Sequence, residues 1–147
     1  MTDQDALPRS AVLLLSGGMD STTLLWWMKS RVQTIHTVSV DYGQRHFIEL
    51  DSARELSAAA HASSHRVLSL NLGQFGGNPL TEEGLEVPAA ADQEQVRTVV
   101  PFRNMLFVTL AAAWAESEGI ANLFISPVKD DFEAYRDCRR SFYDALQ

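Results

Sequence analysis

A chain of 147 residues, 46% hydrophobic and 21% charged, has the composition of one ordinary globular domain with a modest core. Its 12 Lys and Arg against 19 Asp and Glu leave a net charge of −7, which argues against a general nucleic-acid binder. The single cysteine, Cys138, excludes an internal disulfide and fits a reducing cytosol, and no apolar run is long enough to span a membrane.

Residues 1–10 read as a loose polar leader without the apolar stretch of a signal peptide. Ala11–Leu15, AVLLL, reads as a buried strand, and the string Ser-Gly-Gly-Met-Asp-Ser follows it at Ser16–Ser21. Gly17 and Gly18 let the backbone turn sharply and approach a ligand closely. A helix is expected over Asp20–Lys29, with Asp20 or Ser21 placed to cap it and Leu24, Leu25, Trp27 and Met28 as its apolar stripe. Trp26 and Trp27 are consecutive and cannot share a face, so at least one is expected in the core. Free N–H groups and the positive dipole end at such a helix start favour an anion. Strand, phosphate-sized loop and helix make nucleotide binding the first hypothesis. Neither the lysine-bearing phosphate loop nor the dinucleotide fingerprint Gly-x-Gly-x-x-Gly is present.

Thr34–Val40 is rich in β-branched residues and reads as the second strand, with a turn at Tyr42-Gly43-Gln44-Arg45. His46–His61 reads as a helix with Leu50, Ala53, Leu56 and Ala60 at helical spacing, and Arg66–Leu70 as a third strand. Asn71–Arg97 is Gly- and Pro-rich and reads as a long irregular loop. A long helix over Asn104–Gly119, closed by Gly119, precedes a fourth strand at Asn122–Ser126. Pro127–Asp137 reads as a charged loop and Cys138–Gln147 as a last helix. The alternation predicts a single α/β domain over residues 1–147, a parallel sheet with helices on both faces. Ligands in such folds sit outside the C-terminal strand ends, where Ser16–Ser21, Asp41–Arg45, Asn71–Leu80 and Ser126–Asp131 converge.

Ser-Gly-Gly-x-Asp-Ser resembles the PP-loop of the N-type ATP pyrophosphatases, which split ATP between the α- and β-phosphates. VSVDYGQRHFIEL at 38–50, LNLGQFGGNPLT at 70–81, PFRN at 101–104 and YRDCRR at 135–140 each resemble a segment of the 7-cyano-7-deazaguanine synthases, in the same order. The resemblance spans nearly the whole chain. It implies a three-layer α/β/α fold with a parallel, Rossmann-like sheet of the adenine nucleotide alpha hydrolase type. It implies a C–N ligase that turns 7-carboxy-7-deazaguanine and ammonia into the nitrile with ATP and Mg²⁺, in queuosine biosynthesis. A shortened PP-loop ligase on another carboxylate or a protein group, or a non-catalytic nucleotide-binding subunit, stands as the alternative.

By the resemblance, Ser16, Gly17, Gly18, Asp20, Ser21 and Thr22 form the pyrophosphate cradle, with Asp20 orienting the loop or sharing Mg²⁺. Tyr42, Gln44 and Arg45 lie beside the nucleotide or the base, and Arg103 and Asn104 open a helix toward the same cleft. Asp20, Arg45 and Arg103 are the catalytic candidates. Plainer readings stand beside these. Arg45 can pair with Glu49 one turn on, Arg103 can be a solvated helix start, Asp41 can cap a turn, and Cys138 can be a structural thiol.

Two departures from the family follow. Its C-terminal cluster of four cysteines, which holds a structural zinc, has no counterpart among these residues. SPVKDDFEAY at 126–135 carries Pro127, Lys129 and Ala134 where the family pattern differs, which bears on the substrate, while Asp130 and Asp131 keep acidic character. The resemblance further implies a cytoplasmic homo-oligomer acting on small molecules, with Phe142, Tyr143 and Leu146 as a candidate interface.

Overall fold

The computed structural model describes residues 7–43, 48–75, 102–129 and 131–146. Four strands, β1 (Ser10–Leu14), β2 (Thr34–Asp41), β3 (Ser64–Ser69) and β4 (Leu123–Phe124), form one parallel sheet in the order β3-β2-β1-β4. Among the described residues, five α-helices accompany them: α1 (Met19–Lys29), α2 (Ile48–Ala59), α3 (Arg103–Ser117), α4 (Asp131–Ala134) and α5 (Arg140–Leu146).

Side-chain alternation along β1 sorts the layers. Ala11, Leu13 and Leu15 pack with Leu25 and Met28 of α1 and Ala53 of α2. Val12 points the other way, onto Ala111, Trp114 and Ala115 of α3, together with Val38 of β2. A strand apolar on both faces needs a helix layer on each. Each large buried side chain, such as Leu13 or Leu25, contributes about 1.5–3 kcal/mol by leaving water. The chain lays β2 and β3 to one side of β1 and β4 to the other, so the strand order reverses at β1. The crevice at the C-terminal end of β1 is therefore where this topology places a ligand.

The structure corrects several expectations. α1 begins at Met19 with Gly18 as its cap and no side-chain cap bond, so Asp20 and Ser21 already lie in its first turn. Ser21, Leu25 and Met28 form its inner stripe at i, i+4 and i+7, which turns both tryptophans outward. Trp26 is 43% and Trp27 41% exposed, each under a cation, Lys29 at 4.7 Å and Arg31 at 4.8 Å from the ring centroids. The 127–137 segment is not all loop: it holds α4 and a 3₁₀ turn at Arg136–Cys138 that includes Cys138, so the last helix starts at Arg140. Residue Gly119 does follow α3 in the left-handed region, at φ +71°. Most of the expected 71–97 loop, and residues 1–6, lie outside the described residues.

Candidate active site: a self-tied loop and one arginine on a shared cavity

β1 delivers Ser16–Gly18 to the crevice, and the loop is tied internally. The Ser16 and Ser21 hydroxyls are 3.0 Å apart, and the Ser16 N–H donates to Ser21 Oγ at 3.2 Å. The Gly18 N–H donates to Ser16 Oγ at 3.2 Å, while Ser21 Oγ and Thr22 Oγ1 donate to the Gly18 carbonyl at 3.1 and 2.7 Å. Gly17 has φ +84°, and a Cβ there would run into the Glu49 carbonyl oxygen of α2 and approach Ala53 N to 3.1 Å. Only glycine fits both that dihedral and that approach.

A cavity of about 350 Å³ opens above this loop. Among the sequence-predicted residues, Ser16, Gly18, Asp20, Ser21, Tyr42, Arg103 and Asn104 line it. Gly17 faces α2 instead, Thr22 is occupied with the Gly18 carbonyl, and neither is part of the lining. Gln44 and Arg45 lie outside the described residues. Asp41 accepts the Gly43 N–H at 3.1 Å, the turn-capping role.

Arg103, the first residue of α3, sits with its guanidinium carbon 6.0 Å from the ring centroids of both Tyr42 and Tyr135. Burial pushes the Tyr42 hydroxyl above its usual range, and the Arg103 charge and hydrogen bond oppose that. Tyr42 in turn rests on Phe107 at 5.2 Å. One cation beside two rings, on the same cavity as the Ser16–Ser21 loop, is an arrangement suited to a bound anion.

Asn104, on the cavity lining, is itself engaged. Its backbone N–H donates to Asp137 Oδ2 at 2.9 Å and its Nδ2 to Cys138 Sγ at 2.8 Å. Burial pushes the Cys138 thiol up to about 11, helped by Asp131 and Asp137. A thiol this basic stays protonated and unreactive. The sequence reading passed over Tyr143 as a lining residue, assigning it to an interface. It lines the cavity, with Phe142 edge-on at 5.3 Å, while Leu146 is 43% exposed. Tyr135 and Phe107 were likewise visible only as helix or motif residues, because nothing local says which way they turn.

Parallel strands reversing order at β1, with the Ser-Gly-Gly-Met-Asp-Ser loop at that point, define an α/β/α protein of the PP-loop class. The fold agrees with that of the NH3-dependent NAD synthetase from Campylobacter jejuni, at TM-score 0.51 and 14% identity over 83% of this chain and 48% of that one. The family model described as Queuosine biosynthesis protein QueC matches residues 10–147, and the chain belongs to that family. Proteins named 7-cyano-7-deazaguanine synthase are similar to it throughout: 41% identical in Laribacter hongkongensis (95% of this chain, 62% of that protein) and 44% in Magnetococcus marinus (94% and 61%). A third, from Pseudomonas syringae, is 37% identical over 100% of this chain and 64% of its own length. The chain thus spans less than two thirds of these curated relatives. No helix among the described residues is long and apolar enough to cross a membrane.

Proposed function

We propose that the protein converts 7-carboxy-7-deazaguanine, ammonia and ATP into 7-cyano-7-deazaguanine through an adenylated carboxylate. One observation carries this reading: the closed Ser16–Ser21 loop and Arg103 face a single cavity at the strand-order reversal. The names of the similar proteins supply the acceptor.

A carboxylate is a poor electrophile. Its oxygen attacks the α-phosphorus, the bond to the bridging oxygen breaks, and pyrophosphate leaves. Ammonia adds to the acyl carbon and AMP departs, leaving an amide after loss of a proton. A second ATP adenylates the amide oxygen, and expulsion of AMP with loss of the N–H protons leaves the nitrile. The Ser16 and Ser21 hydroxyls and the loop N–H groups hold the pyrophosphate in this reading, and Arg103 meets the charge that develops at phosphorus. The mutual hydrogen bonds occupy these donors and hold the loop in one shape, so binding exchanges part of that internal bonding for bonds to phosphate oxygens.

Mg²⁺ is part of the proposal at Asp20. No group of three His, Cys, Asp or Glu that could hold a metal gathers among the described residues. Asp20 is one of three carboxylates on the cavity lining, with Glu49 and Asp131, and a carboxylate together with phosphate oxygens is a set that Mg²⁺ commonly takes. When bound there, it offsets the charge of the departing pyrophosphate. Gln44 and Arg45 are proposed beside the nucleotide on the resemblance alone. The protein is further read as a cytoplasmic homo-oligomer without nucleic-acid partners; a sedimentation mass equal to one chain contradicts the oligomer.

The test is product analysis with ATP, Mg²⁺, ammonium and the 7-deazaguanine acid. AMP together with the nitrile, both lost in Asp20→Ala, is expected. AMP formed only with a different carboxylate favours the second reading, a related ligase, to which Pro127, Lys129 and Ala134 point.

A further inference from the structure

Phe102, the residue before α3, has φ +54° and gives the helix no side-chain cap. A left-handed non-glycine residue is strained and persists only where surroundings hold it. An uncapped helix start beside it should fray. The missing cap comes from the far end of the chain: Asp137 Oδ2 accepts the N–H of Asn104, 33 residues away, and Cys138 Sγ accepts its side-chain amide. Arg103 lies between Phe102 and Asn104, so this bond fixes the backbone that aims the guanidinium between Tyr42 and Tyr135. The 3₁₀ turn bearing Asp137 and Cys138 follows directly after Tyr135, so one short segment carries both the cap and one of the two rings.

We propose that Asp137 is a positioning residue for Arg103, serving as the N-cap of α3 from outside the helix and thereby holding the guanidinium in the cavity. The ligase reading underlies the catalytic part of this inference; the geometric part stands without it.

The experiment pairs NMR with a double-mutant cycle in the 147-residue chain. In labelled wild type, the Arg103 Nε–H signal, assigned by its loss in Arg103→Lys, should carry the ring-current shift of two tyrosines. Asp137→Ala should move it to the position of a solvated arginine while the buried Trp114 indole signal stays in place. Asp137→Asn, whose amide oxygen still accepts the bond, should restore it. An Arg103 signal unmoved in Asp137→Ala, or one that moves only together with Trp114, overturns the proposal. In AMP release, Asp137→Ala should lower kcat/KM on the order of tenfold or more. In the Arg103→Ala background it should cost under about twofold, because both act through one group. Equal costs in both backgrounds overturn the proposal. Should Asp137→Ala not fold, Asp137→Glu carries the same cycle, since it displaces the carboxylate by one methylene. A wild type that releases no AMP contradicts the ligase reading alone, and the NMR still decides the role of Asp137.

Discussion

The hydroxyls of Ser16 and Ser21 lie 3.0 Å apart across the turn between β1 and α1, so the loop is tied to itself. Ser21 is 2% exposed and also receives the Ser16 N–H and binds the Gly18 carbonyl. Ser21→Ala leaves those partners unmet. It should cost about 1–2 kcal/mol in a thermal melt and weaken ATP binding roughly tenfold by calorimetry, the equivalent of about 1.4 kcal/mol. A loop that needs no internal tie would bind ATP unchanged.

Gly17→Ala is expected to be worse. The left-handed dihedral alone costs about 1–2 kcal/mol in a residue with a Cβ. The Glu49 carbonyl adds a backbone clash that no rotamer relieves. Denaturant unfolding should show a loss exceeding the dihedral cost, with α2 displaced; a loss below about 1 kcal/mol would show that α2 gives way freely.

Within the interior strand β2, Thr37 is fully buried, with its hydroxyl 2.7 Å from Ser57 Oγ, 2.9 Å from His65 Nδ1 and donating to the Ser64 carbonyl at 3.2 Å. Thr37→Val keeps the shape and removes the bonds to all three partners. A loss of about 1–3 kcal/mol in chemical denaturation is expected, with ATP binding untouched because this cluster lies away from the cavity lining.

Cys138 sets an alkaline limit. Its thiol is raised to about 11 in the fold, above its ordinary 9.0, so the folded state favours the protonated form. That contribution is complete below pH 9 and is lost as pH rises through about 11, because the unfolded chain releases the proton first. Unfolding midpoints should therefore fall across that window, and Cys138→Ser, whose hydroxyl does not titrate there, should flatten the fall. An equal fall in the variant would assign the effect to other groups.

The β1–loop–α1 unit was legible because its signals are local: an apolar run, two glycines and a helix start within a dozen or so residues. Strand alternation with helices likewise carried the parallel sheet. The two tryptophans were misread because a stripe counted from Leu24 to Met28 does not say which side meets the sheet; Ser21, a small polar residue, belongs to the inner face. The helix within 127–137 was hidden by its charges, and Asp131 closes that turn by accepting the Val128 N–H at 3.1 Å. Most opaque was Asn104, whose two partners are 33 and 34 residues away and whose bonds arise only after α3 and the C-terminal segment pack.

Phosphorus NMR of ATP turnover with the 7-deazaguanine acid and ammonium tests the central claim most directly. The account predicts AMP and pyrophosphate in equal amounts, about two of each per nitrile because the acid and then the amide are each activated once. ADP with inorganic phosphate, or nitrile formed without AMP, would contradict it.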